Sequence, residues 1–238
     1  MPMSDAVQSG KSPGSAPIPV RQQAEPVLRA EGLSRNYGAV TVLSDITLDI
    51  IPGEIHAIIG ENGAGKSTFM RLLSGYIEPT EGTLSMAGKR VRFTKPDQAQ
   101  AAGIALVHQE ILLADALTVT DNLFLGREPT RKGLVDDAGM RRIAAAKLAE
   151  IGCEVSPTAL VRDISLADRQ LVQIARALLD EHRVVIFDEP TAVLTGDEVE
   201  RLLAIIFDLK ARGIAVLYIS HRLDEVQRLA DKVTVLRD

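Results

Sequence analysis

The 238-residue chain has no tryptophan, three tyrosines, five phenylalanines and a single cysteine. So few aromatic rings leave little from which to build the stacking platforms that hold single-stranded nucleic acids. With Cys153 alone no internal disulfide can form, which suits a reducing compartment and a buried, inert thiol. No apolar run approaches the ~20 residues that span a bilayer, so any dealings with a membrane are expected to pass through a partner. Lysines and arginines form no block and the net charge is -5, so the broad basic footprint of a nucleic-acid binder is missing. Residues 1–25 are rich in Pro, Ser, Gly and Ala, lack the hydrophobic segment of a signal peptide, and read as a disordered leader. The remainder, 26–238, has ample apolar material for one large domain or two closely packed lobes.

Within it one stretch carries the chemistry: Gly60-Glu61-Asn62-Gly63-Ala64-Gly65-Lys66-Ser67-Thr68, between a strand-like run ending at Ile59 and a helix-like run from Ser67 to Leu73. This is the context that the phosphate-binding pattern Gly-x4-Gly-Lys-[Ser/Thr] requires. Glycines permit positive φ and close approach of backbone N–H groups to an anion, and the start of the helix adds oriented positive charge. Lys66 is placed to reach β and γ phosphates, and the Ser67 hydroxyl to ligate Mg²⁺. The expected ligand is ATP or GTP.

The chain on either side supplies candidates for the rest of a site. Strands are expected at Val27–Ala30, Ile46–Ile50 and Glu54–Ile59, with Arg35-Asn36-Tyr37-Gly38 as a turn whose tyrosine offers a stacking surface for adenine. Short strands follow at Gly82–Met86 and Val91–Phe93, a short helix at Pro96–Ala102, and a strand, Ile104–Val107, that delivers Gln109. At a strand end beyond a phosphate loop, Gln109 is a candidate to touch Mg²⁺ and the attacking water. Residues 111–163 favour helices, Val119–Leu125 and Ala138–Ile151 among them, and read as a helical subdomain (about 111–165) inserted into an α/β core. Ser165-Leu166-Ala167-Asp168 has the form of a capping box that opens a helix over Arg169–Leu179.

Arg183–Phe187 is a β-branched apolar strand ending in Asp188-Glu189. A carboxylate there belongs beside the phosphates, with Asp188 facing a metal ion and Glu189 polarising water. Thr195-Gly196-Asp197-Glu198 is a second capping box before a helix to Arg212, and a strand over Ile214–Ser220 presents His221 on the edge where open α/β sheets bind ligands. A helix over Arg222–Leu229 and a strand over Lys232–Leu236 complete the pattern.

Taken in order, Tyr37, the phosphate loop, Gln109, the Ser165 helix, Asp188-Glu189 and His221 closely resemble the ATP-binding cassette (ABC) ATPases over residues 27–238. That likeness implies a mixed-sheet P-loop core with an antiparallel β subdomain and the inserted helical one. It also implies Val42 near the ribose, Gln109 coupled to a transmembrane partner, Glu189 as catalytic base and His221 at the γ phosphate. The Ser165 segment corresponds to the family signature, which in a head-to-tail pair closes over the other cassette's phosphate loop. More narrowly, Val107-His108-Gln109-Glu110, Leu123-Phe124-Leu125-Gly126-Arg127-Glu128 and Ile219-Ser220-His221-Arg222-Leu223-Asp224-Glu225-Val226 are similar to the first half of tandem ATPases that energise bacterial monosaccharide importers. The implied partners are a second cassette on the same polypeptide, expected beyond Asp238, a transmembrane permease and, indirectly, a periplasmic sugar-binding protein, with no nucleic acid. The implied location is peripheral, on the cytoplasmic face of the inner membrane. A cassette ATPase outside transport, or a nucleotide clamp inactive alone, are the alternatives.

The signature departs from the family's Leu-Ser-Gly-Gly-Gln, reading Ile164-Ser165-Leu166-Ala167-Asp168. At about 6 Å and an effective dielectric near 20, Asp168 would repel each unit of phosphate charge by roughly 3 kcal/mol before screening, unless it turned inward to cap its own helix. An asymmetric pair is therefore expected, in which this phosphate loop and Glu189 are completed by another half's signature.

Overall fold

The structure, a computed structural model, describes residues 24–237; the expected leader lies almost wholly outside them. Two sheets form. The first is antiparallel, in the order β2-β1-β4-β5, from β1 (Leu28–Tyr37), β2 (Val40–Ile50), β4 (Glu81–Met86) and β5 (Lys89–Val91). The second is parallel, in the order β11-β3-β10-β9-β6, from β3 (Ile55–Gly60), β6 (Ile104–Val107), β9 (Val184–Asp188), β10 (Ala215–Ile219) and β11 (Lys232–Leu236). The mixture of pairings expected from the sequence is present, with each kind in its own sheet.

Central strands of a parallel sheet are covered on both faces, which explains why β9 and β10 read as unbroken apolar runs. Successive side chains alternate between the faces. Val185, Phe187, Val216 and Tyr218 join a core with α3 (Val119–Phe124), α4 (Asp137–Glu150), α5 (Leu166–Ala177) and α6 (Gly196–Ala211). Val184, Ile186, Leu217 and Ile219 face α1 (Lys66–Leu73) and the antiparallel sheet. The remaining α-helices among the described residues are α2 (Pro96–Ala101), leading into β6, and α7 (Leu223–Leu229), between β10 and β11, and a 3-10 turn covers Val161–Asp163.

Several expectations change. Tyr37 closes β1 rather than sitting in a turn, because Asn36 and Tyr37 pair with Thr41 and Val40; the reversal falls on Gly38–Ala39. Inside the helical stretch, β7 (Thr130–Arg131) and β8 (Leu134–Val135) form a small hairpin across Lys132-Gly133, both with positive φ. A two-residue strand carries too little alternation to be seen in sequence. Ser165 caps the helix as its capping-box form implies, so α5 begins at Leu166, ahead of the periodic run from Arg169.

Candidate functional site

All five strands of the parallel sheet run the same way, so the residues following β3, β6, β9 and β10 emerge at one edge. The register aligns Ile219 with both Ile58 and Asp188, and Phe187 with Val107. The segments holding Gly60, Gln109, Glu189 and His221 therefore leave the sheet within two residues of a common row.

The phosphate loop is formed in detail. Gly65 is the cap of α1 at φ 84°, Gly63 has φ 97°, and no side chain caps the helix, so its first N–H groups remain available to an anion. A Cβ on Gly65 would meet Leu43 Cδ2 at 2.6 Å and the Val42 carbonyl oxygen at 2.8 Å, so β2 lies directly against the loop. A Cβ on Gly60 would meet the Leu236 carbonyl oxygen at 2.5 Å, where β11 runs alongside β3. Lys66, only 6% exposed, folds back to donate to the carbonyls of Gly60 at 2.7 Å and Glu61 at 2.8 Å. Glu61, Asn62 and Ser67 are exposed, Thr68 is half-buried, and Ala64 is buried under the loop.

Three expected residues from three segments converge. Glu189 Oε2 accepts from Gln109 Nε2 at 3.5 Å and lies 3.3 Å from His221 Nδ1. Glu189 adopts φ 45°, a left-handed backbone that costs a residue of this kind about 1–3 kcal/mol, and its N–H donates to the Ile219 carbonyl at 3.0 Å. Burial, and after it the charge of Glu189, holds the Asp188 carboxyl above the usual carboxylate range, while Arg71 and Lys66 pull the other way. A divalent cation would offset both leading causes. Among the described residues no cluster of three or more His, Cys, Asp or Glu side chains could hold a metal by itself. Mg²⁺ commonly keeps waters and shares few protein oxygens with substrate phosphates; Ser67, Gln109 and Asp188 are the side chains that could hold it.

Tyr37 is 47% exposed, and Arg35 lies 4.6 Å from the centroid of its ring while donating to the Glu78 carbonyl at 2.7 Å. Val42, next to Gly65 through its carbonyl, is half-buried. Ser165 stands apart from this cluster, at the cap of α5. Its Oγ accepts from the Asp168 N–H at 3.0 Å and donates to Asp168 Oδ2 at 2.7 Å. Of the two directions open to Asp168, the carboxylate takes the inward one and turns to its own cap, where it accepts from the Ser165 hydroxyl.

Two functional candidates escaped the sequence. Gln173, 6% exposed, accepts from the Leu112 N–H at 2.6 Å and donates to the His108 carbonyl at 2.9 Å, so α5 grips the chain on both sides of Gln109. Glu225, 2% exposed, accepts four hydrogen bonds behind His221. A charged residue beside Val226 and one helical turn before Leu229, on the apolar stripe of α7, was the legible signal. Near Gln109 opens a cleft of about 730 Å³, lined by Tyr76, His108, Leu112, Arg127, Arg176 and His182 among others, and by none of the phosphate-loop residues.

A parallel sheet whose strand β3 runs through a glycine-rich loop into a helix, with carboxylates at the end of β9, defines a P-loop NTPase fold. The model of the ABC transporter family matches residues 43–192, and the chain belongs to that family. It is 50% identical over 214 residues to the ribose import ATP-binding protein RbsA 3 of Rubrobacter xylanophilus, covering 90% of this chain and 43% of that protein. Over 238 residues it is 45% identical to a putative ribose/galactose/methyl galactoside import ATP-binding protein of Burkholderia ambifaria, covering all of this chain and 45% of that protein. The chain thus spans less than half the length of these relatives. Among solved structures, a nucleotide-free ATP-binding cassette from an ABC transporter superposes with TM-score 0.80 at 25% identity, over 88% of this chain and 87% of that one. An ATP-binding subunit of an ABC transporter gives TM-score 0.74 at 29% identity, over 89% and 86%.

Proposed function

We propose that this chain is the ATP-binding and hydrolysing cassette of a bacterial monosaccharide importer, working at the cytoplasmic face of the inner membrane. The carrying observation is the convergence of Gln109 and His221 on the Glu189 carboxylate, at the sheet edge that also bears the phosphate loop. The loop N–H groups and Lys66 hold the β and γ phosphates, Lys66 exchanging the Gly60 and Glu61 carbonyls for phosphate oxygens. Tyr37, one face of its ring backed by Arg35, stacks on adenine, and Val42 borders the ribose. Ser67, Asp188 and Gln109 would hold Mg²⁺, which would supply charge compensation at the phosphate oxygens. Glu189 takes the proton of a water whose oxygen attacks the γ phosphorus in line, the bond to the bridging oxygen breaks and ADP leaves. His221, set against Glu189, faces the γ phosphate.

The relatives' names support a ribose- or galactose-type cargo, and their length supports a second cassette on the same polypeptide. No helix among the described residues is long and apolar enough to cross a membrane, so passage of sugar falls to permease subunits, fed by a periplasmic binding protein. The cleft beside Gln109 is where a permease segment docks, and Gln173 passes its position to Gln109. With its hydroxyl hydrogen held by Asp168, Ser165 is poorly placed to donate to phosphate, which favours an asymmetric pair whose active site is this loop facing the other half's signature.

The test is steady-state Mg·ATP hydrolysis by this chain alone and mixed with a second cassette of the relatives' type, with Glu189→Gln as control. Activity in the mixture that falls at least about 100-fold with the substitution is the expected result. Equal hydrolysis by the chain alone refutes the asymmetry, and none in either case refutes the catalytic assignment.

A further inference from the structure

Glu225 lies two helical positions into α7, yet all of its bonds point back to the loops that carry the catalytic candidates. Its Oε2 accepts from Tyr218 OH at 2.7 Å, Thr191 Oγ1 at 3.0 Å and Ser220 Oγ at 3.3 Å, and its Oε1 accepts from Arg222 Nη1 at 2.8 Å. Thr191 stands two residues after Glu189, and Ser220 and Arg222 flank His221. Ser220 Oγ also accepts from the Arg222 N–H at 3.0 Å, tightening the turn around the imidazole. Tyr218, Thr191, Ser220 and Glu225 are each at most 2% exposed. A charge so buried persists only with its oxygens filled by donors, and here the donors come from β10, the loop after β9 and the turn into α7.

We infer that Glu225 is a positioning residue: its carboxylate pins the segments bearing Glu189 and His221 to one point and so sets the separation of those two side chains. The inference rests on the hydrolytic reading above. The consequence is geometric. Glu189 sits in a left-handed backbone with its N–H on the Ile219 carbonyl and its side chain 16% exposed, while the His221 side chain is 59% exposed, so packing of its own side chain does little to hold His221. An amide at 225 can still accept from the hydroxyls on one side, but on the other its NH₂ faces the Arg222 guanidinium, donor against donor, and the turn is released.

The test is Glu225→Gln in the full chain, paired with the second cassette. Expected are turnover about 10- to 100-fold lower with KM for Mg·ATP within about twofold, since a misplacement near 1 Å costs on that order. In a His221→Ala background the same substitution should cost clearly less, because only its hold on the Glu189 segment is left to lose. Independently of hydrolysis, the side-chain ¹⁵N and ¹³C resonances of His221, assigned among the four histidines, should move in Glu225→Gln. Unchanged resonances, or a turnover loss as large without His221 as with it, overturn the inference. If Glu225→Gln does not fold, Arg222→Met and Thr191→Val remove one bond each: shifted His221 resonances in either support the inference, and unshifted ones in both overturn it. Absence of hydrolysis in the unsubstituted pair sinks the proposed function alone, because the resonance measurement still decides the role of Glu225.

Discussion

Gly65→Ala is the sharpest perturbation of the phosphate loop, because two separate costs are visible and one of them can be subtracted. Its φ of 84° places an L-residue in the left-handed region, at about 1–2 kcal/mol. The added methyl would also stand 2.6 Å from Leu43 Cδ2 and 2.8 Å from the Val42 carbonyl oxygen. Leu43 can turn but the carbonyl belongs to the β2 backbone, so the overlap adds roughly 1–3 kcal/mol. Gly63 is the control: its φ is 97°, yet a Cβ there meets nothing within 4 Å. Gly63→Ala should therefore cost only the backbone share. The total for Gly65→Ala is roughly 2–5 kcal/mol, and for a chain of this size each kcal/mol lowers Tm by about 2–4 °C. Thermal unfolding of both variants, followed by titration with a fluorescent ATP analogue, reads stability and phosphate binding together. Gly65→Ala should melt lower than Gly63→Ala by about 2–12 °C, as the 1–3 kcal/mol overlap requires, and bind nucleotide more weakly because β2 and Val42 are pushed from the loop. Equal melting temperatures would refute the idea that β2 is packed against the loop backbone.

The other predictions concern acid stability and the altered signature. Burial, followed by the charge of Lys232, pushes the His56 imidazole down to about 4 from an ordinary 6.5. Between these values the unfolded chain binds a proton that the folded chain does not, so stability is full above pH 6.5 and falls as pH drops towards 4, by about 3 kcal/mol in all. Burial lowers His108 and His182 in the same direction. Urea unfolding at pH 7 and pH 4.5 should show this loss, and His56→Gln should flatten it; the same pH dependence in that variant would rule out His56 as a source. At the signature, Asp168→Gln replaces the carboxylate that accepts from the Ser165 hydroxyl with a longer, neutral amide. More nucleotide should then be trapped at the second site of the paired cassettes, and no gain would sink the account of that site as weakened by Asp168. Ser165→Ala removes the cap of α5 and should cost about 1 kcal/mol, measured as a lower urea midpoint.

What could be seen in the sequence was whatever depends on spacing. The phosphate loop needs its glycines and lysine at fixed intervals, and the apolar runs of β6, β9 and β10 are bounded by the residues that matter, so the order of residues alone sets Gln109, Asp188-Glu189 and His221 at strand ends. The parallel register then brings those ends to one edge. Side-chain direction was not legible. Asp168 could face a phosphate or its own helix, and only the position of the Ser165 hydroxyl decides between them. The roles of Gln173 and Glu225 could not be assigned from sequence because their partners, Leu112 and His108 for one, Thr191 and Tyr218 for the other, lie far away along the chain or inside an apolar strand, although the charge of Glu225 on the apolar stripe of α7 was legible. The hairpin β7–β8 was lost for a simpler reason, its strands being two residues long.

These hidden contacts share a direction. Gln173 ties the segment around Gln109 to α5, whose cap is Ser165, while Glu225 ties the segments around Glu189 and His221 to α7. Gln109 and His221 then meet only at the Glu189 carboxylate. The Gln109 contact, at 3.5 Å between exposed atoms, is long for a hydrogen bond and is the weakest link in the set. The bonds from Gln173, at 2.6 and 2.9 Å, are shorter and better shielded. A displacement of α5 relative to the parallel sheet should therefore carry Gln109 with it and break its bond to Glu189, while the Glu225 cluster keeps Glu189 and His221 together. Gln173→Ala should uncouple the two motions. Hydrogen exchange of the Leu112 amide, whose N–H donates to Gln173, should rise, while that of Glu189, whose N–H donates to the Ile219 carbonyl, stays slow. Equal acceleration at both amides would mean that the two halves of the site open as one unit, and that α5 has no separate hold on Gln109.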